Sequence, residues 1–419
     1  MTDPNAKPDL PKADAQAPAP KKQSKLSFLH RAQDLIQPTD IIRIRGNVDR
    51  PMLIIILLLF CFGCVMVFSA SYAVALSSKG DSYYYIKRHI VFGAIGIAAM
   101  LFAAHFDYRW IHKLVLPAYA GTYLLLLAVL VYGVAQGVAQ RWIVIGPINL
   151  QPSEIMKLAL ILLLATYCAR FQNQISDYSN RKRSLFFGNL LPFAIIGFSV
   201  LPVMLEKHLS GTIIIAMIGI VVVFASGARK SGFIVAAIAL VLVVLIASQI
   251  PYVQERLDTF INQKEYWKPE EGYIHDDVWQ TVQGLIAVGS GGLFGVGLGN
   301  SRQKHSFVPM PHNDFIFSII CEELGLIGAL AVIALFMLFI WRGFTIARKA
   351  PDTFSSLVVT GITTQVGLQA ILNIMVVTNL IPNTGVSLPF FSYGGTSLLM
   401  LLGEMGIVLS ISRYSYQKQ

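Results

Sequence analysis

The segment PMPHNDFIFSII, residues 309–320, places an acid at the start of an apolar run. His312 and Asp314 belong to this segment, and the cations Arg302 and Lys304 come shortly before it. Arginine and lysine bind phosphate oxygens, while a carboxylate serves as a general base or holds a divalent cation. The combination predicts a site for a phosphate-bearing lipid headgroup. Alternatively Asp314 caps the following helix, and the two roles are compatible.

A second group lies in QRWIVIGPINLQPSEIMKLAL, residues 140–160. Glu154 and Lys157 are three residues apart, so they neighbour each other on one helix face. Ionisable residues in membrane spans are more often functional and face the interior of the bundle, although a structural ion pair is the alternative here. Arg141 precedes them at the membrane interface, where it either holds a pyrophosphate or anchors the helix.

A third segment, TNLIPNTGVSLPFFSYGGTSLL, covers residues 378–399. Its prolines and glycines predict a rigid, non-helical loop that forms one wall of a cavity. Ser392 in this loop is predicted to contact substrate, as are Gln280 and Gln283 in the sequence DDVWQTVQGL. Glu404 follows within the last apolar run, and the sequence names no partner for it.

The composition explains why these polar groups are conspicuous. The chain has 419 residues, of which 55% are hydrophobic and 13% charged, whereas soluble proteins carry about 25% charged residues. Several continuous apolar runs reach the roughly 20 residues that a membrane-spanning helix needs. We therefore expect an all-α polytopic membrane protein rather than a β-barrel, whose strands alternate in polarity. All four cysteines lie in apolar runs and read as buried thiols.

We predict about ten transmembrane helices, with a long extracytoplasmic loop between helices 7 and 8. The approximate spans are 52–74, 90–106, 114–134, 153–169, 190–205, 209–225, 232–250, 314–341, 354–377 and 389–412. They make a transmembrane domain over 51–415, preceded by a polar tail over 1–50 whose composition predicts disorder. The long loop covers 251–313. Its glycine-rich part, 285–298, is predicted to be a re-entrant or interfacial segment lining a cavity.

Basic residues set the orientation. Of the 33 lysines and arginines, 22 fall on the side of the two termini, which is therefore expected to be cytoplasmic. The same topological rule explains much of the net charge of +10, so nucleic acid is not expected as a partner. The three polar segments then share the outer face. This predicts an amphipathic, anionic, lipid-linked substrate and leaves enzyme and transporter open.

The chain resembles the SEDS family of shape, elongation, division and sporulation proteins, which includes FtsW, RodA and SpoVE. The resemblance covers about 50–415. It is carried by RWI at 141–143, QPSEIMKL at 151–158, HLSGT at 208–212, GSGGLFGVGLGNSRQK at 289–304, PHNDFIF at 311–317, EELG at 322–325 and LPFFSYGGTSL at 388–398. The long N-terminal tail, NTGVSLPFFSYGGTSL and GEMGIVLSISR are most similar to the division branch, FtsW.

The resemblance implies an inverting peptidoglycan glycosyltransferase that polymerises lipid II, a disaccharide peptide on undecaprenyl pyrophosphate. The reaction would take place at the outer face of the bacterial cytoplasmic membrane, at the division septum. Asp314 would be the catalytic base or a cation ligand, and Glu154 and Lys157 would line the central cavity. A divalent cation, Mg or Mn, would assist without an organic cofactor. Partners would be a class B penicillin-binding protein and other division proteins.

Two positions depart from the family pattern. Met310 stands where many relatives carry an acid, which concentrates the expected chemistry on Asp314. Lys207 and His208 stand where many relatives have a Pro-Asp pair, so no role for that acid is carried over. The alternative functions are a RodA-type elongation polymerase, a lipid II flippase and a non-catalytic scaffold.

Overall fold

The computed structural model describes residues 46–136, 139–145, 148–234, 236–237, 251–262, 266–268 and 273–414. The disordered tail predicted over 1–50 and the seventh predicted span over 232–250 therefore lie mainly outside the described residues. The remaining spans can be compared with helices directly.

Eleven long helices organise this described part of the chain. They are α1 (Arg50–Lys79), α2 (Tyr84–His105), α3 (Ile111–Tyr132), α4 (Pro152–Arg170), α5 (Leu191–Leu205), α6 (Leu209–Ala225), α7 (Pro251–Ile261), α8 (Asp276–Ser290), α9 (Ile316–Arg348), α10 (Thr353–Val377) and α11 (Gly395–Ser412). Short helices at Gln172–Ile175 and Arg181–Leu185, followed by a π-helical turn at Phe186–Leu190, lead into α5.

Eight helices in the described ranges are long and apolar enough to cross a membrane, and each coincides with a predicted span. Helix α6 matches the sixth predicted span but is a shorter apolar helix of 17 residues. The expected all-α polytopic membrane protein is confirmed. The long loop over 251–313 is not irregular throughout, because it contains α7 and α8.

Small sheets occupy two connections. Strands β1 (Val134–Gln136), β2 (Ala139–Ile145) and β3 (Ile148–Leu150) form an antiparallel meander between α3 and α4. A two-stranded pair, β4 (Trp267–Lys268) and β5 (Tyr273–Ile274), precedes α8. The meander ends two residues before α4, whose first residue is Pro152. Proline suits this position because its missing N–H has no partner in the first turn of a helix.

Helix α9 is broken at Gly325, whose φ of 65° and ψ of −161° are not helical. The glycine-rich segment, defined here as residues 291–299, packs against this break through its backbone. The N–H groups of Val296 and Gly297 donate to the carbonyls of Glu322 and Glu323, both at 3.0 Å. Beyond the break, the N–H groups of Leu326 and Ile327 donate to the carbonyls of residues 292 and 293 at 2.9 and 3.2 Å. The carbonyls and amides that the break frees are thus satisfied.

Glycine is required where these two backbones meet. A Cβ on Gly295, which has a φ of 78°, would collide with the carbonyl of Glu323, and a Cβ on Gly291 would collide with that of Cys321. The expectation that 285–298 lines a cavity is wrong for the large cavity described below. Residues 285–290 continue α8, and the rest of the range packs on α9.

Two acids on α9, just before the break in sequence, bind the residues that follow the glycine-rich segment. Glu322 accepts hydrogen bonds from the Ser301 hydroxyl and from the N–H of Arg302, the latter at 2.8 Å. Glu323 accepts from Ser69 on α1 at 2.6 Å and forms an ion pair with Lys304, also at 2.6 Å. The side chains of Lys304 and Glu323 are both 0% exposed. The two glutamates thus join α1, α9 and the segment 301–304.

We expect Lys304→Met to lower the free energy of unfolding by about 3–5 kcal/mol, because it leaves the Glu323 carboxylate buried without its cation. Thermal unfolding in detergent measures this loss. The double variant Lys304→Met with Glu323→Gln should recover much of it, since no charge is left unpaired. Lys87→Met, which breaks an exposed ion pair with Asp81, is the matched control and should change little. Equal losses for Lys304→Met and Lys87→Met would contradict the assignment.

Candidate active site

A cavity of about 560 Å³ opens between α2, α4, β2 and the two loops that precede α9 and α11. Its charged lining residues are Lys79, Arg88, Arg141, Glu154, Lys157 and Asp314. Four cations face two acids, so the formal charge of the lining is positive. A cleft lined mainly by one sign of charge concentrates ligands of the other sign. The cavity therefore suits an anion with a polar body.

The backbone around Asp314 is held at three successive carbonyl groups. The carbonyl of His312 accepts from the N–H of Tyr393 at 2.8 Å, and that of Asn313 accepts from the Ser392 hydroxyl at 2.9 Å. The carbonyl of Asp314 accepts from the side-chain amide of Asn373 on α10 at 2.7 Å. Two other elements thus fix the position of the acid before α9 begins.

Asp314 lies opposite a glycine whose backbone only glycine adopts readily. Gly385 has a φ of 65°, and a Cβ there would come within 3.1 Å of Asp314 Oδ2. Asn373 also donates to the carbonyl of Val386 at 2.6 Å, so one side chain ties the acid to the facing loop. The expectation that Asp314 caps the helix is wrong, since α9 begins at Ile316 with Phe315 in the cap position.

Burial raises the pKa of Asp314 to about 6, and the positive charge of Arg141 works in the opposite direction. Desolvation disfavours a carboxylate, whereas a nearby cation favours it. The balance leaves a group that is mostly ionised at pH 7 and still basic enough to take a proton. General bases work best when their pKa lies near the working pH.

Glu154 and Lys157 form the expected pair on one face of α4. Lys157 Nζ lies 2.8 Å from Glu154 Oε2, with the lysine 3% and the glutamate 17% exposed. Both side chains line the cavity. The pair is therefore an ion pair and a part of the cavity wall, so the two interpretations of the sequence are not exclusive.

Arg141 and His208 form the neighbouring wall. Arg141 lies on β2 and donates through Nη2 to the carbonyl of Lys207 at 3.1 Å. His208 follows, with Nδ1 at 3.3 Å from the Ser153 hydroxyl. Burial, together with the charges of Arg141 and Lys157, lowers the pKa of His208 to about 3. The imidazole is therefore neutral, and it adds no charge to the cavity wall.

An aromatic and cationic group at the start of α2 was not identified from the sequence. Arg88 Nη1 donates to the Tyr84 hydroxyl at 3.0 Å, and the rings of Tyr85 and His312 lie 4.1 Å apart between centroids. Tyr393 packs edge-on against Tyr85 at 5.0 Å. The run YYYIKR at 83–88 carried the signal, since it places aromatic and basic residues at one membrane boundary. Sequence could not say which of them face inward.

Of the residues predicted to contact substrate, Arg141, Glu154, Lys157 and His312 line this cavity together with Asp314. Ser392 does not line it; it accepts from the N–H of Leu388 at 2.7 Å and donates to the Asp314 loop.

The other four predicted contact residues also lie outside the lining. They are Gln280, Gln283, Arg302 and Lys304. Gln280 donates to the carbonyl of Pro309 at 3.2 Å, and Gln283 is buried on α8. Arg302 extends an exposed side chain from a backbone held by Glu322. Lys304 is not available to a ligand in the cavity, because its ammonium group is buried in an ion pair with Glu323.

Comparison with known proteins adds relatives of nearly full length. The family model described as cell cycle protein, for FtsW, RodA and SpoVE, matches residues 49–417. Stage V sporulation protein E of Bacillus subtilis (strain 168) is 39% identical over 374 residues, which is 88% of this chain and 97% of that protein. The probable peptidoglycan glycosyltransferase FtsW of Geobacter metallireducens is 36% identical over 375 residues, covering 87% and 96%.

Solved structures show the same fold. A chain from a peptidoglycan synthase complex, studied for the coordination of polymerisation and crosslinking, superposes with a TM-score of 0.70 at 26% identity. The match covers 88% of this chain and 99% of that one. The rod shape determining protein RodA of Thermus thermophilus gives a TM-score of 0.64 at 26% identity, covering 91% and 100%.

Lys157→Met should be less destabilising than Lys304→Met, with a loss of about 1–3 kcal/mol. The reason is that Glu154 faces the cavity, where water can solvate the carboxylate left behind, whereas Glu323 has no such access. Thermal unfolding of the two variants side by side measures the difference. A loss for Lys157→Met as large as that for Lys304→Met would mean that the pair is sealed inside the protein.

Proposed function

Because the chain belongs to the cell cycle protein family of FtsW, RodA and SpoVE, we propose that it is a peptidoglycan glycosyltransferase polymerising lipid II. The observation that carries the proposal is Asp314, whose backbone is fixed and whose side chain lies on the wall of a cavity with excess positive charge. The relatives named probable peptidoglycan glycosyltransferase match along nearly the whole chain, which supports the same reaction here.

The cavity lining fits the polar part of a lipid-linked sugar. Lys79, Arg88, Arg141 and Lys157 supply positive charge for a pyrophosphate, since such cations form charge-assisted hydrogen bonds with its oxygens. The aromatic rings of Trp142 and Tyr393, and the other polar side chains of the lining, suit a sugar. The polyprenyl chain of the substrate would remain in the membrane, beside the surrounding apolar helices. The cavity and its surroundings would thus accommodate a substrate with one charged and one apolar end.

Asp314 acts as the general base in this mechanism. It accepts the proton of the acceptor sugar's 4-hydroxyl as that oxygen attacks the anomeric carbon of the donor. The bond from the anomeric carbon to the pyrophosphate oxygen breaks, and undecaprenyl pyrophosphate leaves with the electron pair. One base opposite one leaving group gives inversion without a covalent sugar–enzyme intermediate. The cations of the lining stabilise the charge that develops on the leaving group.

A divalent cation, Mg or Mn, is part of the proposal. The described residues contain no cluster of three or more His, Cys, Asp or Glu side chains that could cage a metal. Magnesium is usually held by one or two carboxylates together with substrate phosphates. Asp314 with a bound pyrophosphate would hold it in the alternative role of cation ligand, in which Asp314 is not the base. The cation would neutralise charge on the pyrophosphate when bound.

The chain is a multi-pass membrane protein, and its placement in the cell follows from the proposed function. We place both termini in the cytoplasm from the distribution of basic residues, and the cavity on the outer face. A class B penicillin-binding protein is the proposed partner, supported by likeness to a complex that coordinates polymerisation and crosslinking. A septal location and contacts with other division proteins are proposed from similarity to FtsW.

Asp314→Ala should reduce polymerisation by at least about 100-fold, the usual contribution of a general base. Purified protein, alone and with its penicillin-binding partner, is incubated with labelled lipid II with and without Mg²⁺, and the glycan chains are separated by gel electrophoresis. Asp177→Ala, which removes a half-buried acid between α4 and α5 and outside the cavity lining, is the matched control and should polymerise normally. Equal polymerisation by wild type and Asp314→Ala would remove Asp314 from the mechanism. Transfer of lipid II across vesicles without polymer would indicate a transporter.

Polymerisation should rise with pH through about 6, because the base must be ionised and burial raises the pKa of Asp314 to about 6. Arg141→Gln removes the cation that lowers this pKa, so the rise should move to higher pH. Initial rates at saturating lipid II across a pH series measure both midpoints. An unchanged midpoint in Arg141→Gln would show that the titrating group is not the neighbour of Arg141.

A further inference from the structure

A second, smaller void lies beside the cavity, deeper among the helices. It shares Glu154, Gln369 and Ser397 with the cavity wall and is bounded on α11 by Glu404. Its volume of about 20 Å³ is enough for one water molecule. The mechanism above does not use Glu404, although this acid lines the same void as Glu154, whose ion pair with Lys157 the substrate would touch.

Glu404 is 1% exposed and hydrogen-bonded at one oxygen only. Gln365 Nε2 donates to Glu404 Oε2 at 2.8 Å. In the described part of the chain, Glu404 Oε1 and Gln365 Oε1 are buried acceptors with no donor. Leaving two such acceptors in the membrane interior is costly. A proton on Glu404 changes one of them from an acceptor into a donor and lowers that cost.

The charged groups near Glu404 give its ionised form no cation of its own. The charged groups that act on it are Lys157 and Glu154 on α4, and these two already neutralise each other at 2.8 Å. Helix α10 contributes uncharged Gln365 and Gln369 to the void. Helix α2 packs against α11 closely at Gly96 and Gly406, where the contacting groups are uncharged. An ionised Glu404 would thus be an unpaired charge inside the membrane.

We propose that Glu404 is a positioning residue, a neutral carboxylic acid that donates through one water in the void to Glu154. This hydrogen bond holds the Glu154 carboxylate from inside the bundle, while Lys157 holds it from the same helix. The pair then presents a fixed geometry to the pyrophosphate or sugar in the cavity. The effect on the reaction rests on the proposed function, but the protonated state of Glu404 does not.

Infrared difference spectroscopy tests the protonated state without any activity. Wild-type protein at neutral pH, compared with Glu404→Gln, should show the carbonyl stretch of a protonated carboxylic acid that is absent from the variant and shifts in heavy water. A difference spectrum with carboxylate bands only would overturn the proposal. Because this readout needs no substrate, it decides the charge of Glu404 even if the protein polymerises nothing.

Polymerisation assays test the positioning role. Glu404→Leu, which can neither donate nor accept, should polymerise lipid II at least tenfold more slowly, and Glu404→Gln, which keeps a neutral donor, should restore most of the rate. Wild type should lose activity at alkaline pH as Glu404 ionises, and Glu404→Gln should lack that loss. Equal impairment of both folded variants, full activity of Glu404→Leu, or identical alkaline profiles would each overturn the proposal. Wild type that is inactive at every pH would contradict the proposed function instead.

Discussion

The break of α9 at Gly325, paired with the glycine-rich segment 291–299, is the constraint on which the rest of the site depends. A broken membrane helix exposes backbone groups that lipid cannot satisfy, and here the segment supplies the missing partners. The two backbones approach so closely that side chains are excluded at Gly291 and Gly295. Glu322 and Glu323 then fasten the chain that follows. The residues up to Asp314 consequently reach the cavity along a path fixed at both ends.

The two buried ion pairs have different surroundings and different roles. Lys304 and Glu323 are sealed inside the protein, where their charges cancel and hold the fold together. Lys157 and Glu154 differ, because the glutamate faces the cavity and water. The cations that remain on the cavity wall are balanced only partly by Asp314. This excess attracts an anion and at the same time limits how far burial raises the pKa of the acid. One charge distribution would thus serve both the proposed anion binding and the proposed proton transfer.

Sequence predicted the parts that local rules determine. Long apolar runs fixed the spans, and the spacing of Glu154 and Lys157 placed them on one helix face. Contacts between distant residues could not be read in this way. Lys304 looked like a phosphate ligand, but its carboxylate partner is 19 residues away and its hydroxyl neighbour Ser69 is 235 away. Asp314 looked like a helix cap, but α9 begins at Ile316 with Phe315 in the cap position. Arg88 did not stand out in the sequence, because basic residues at membrane boundaries are common for topological reasons.

We propose that the substrate headgroup binds in the cavity beside Asp314, and photo-crosslinking tests this binding. A photoreactive amino acid replaces Thr396 on the cavity wall and, in a control protein, Leu116, which is 68% exposed on the outer surface of α3. Labelled lipid II is added in detergent, illuminated, and competed with unlabelled lipid II. We expect saturable crosslinking at position 396 that is competed away, and only weak, non-saturable labelling at 116. Equal labelling at the two positions would contradict it.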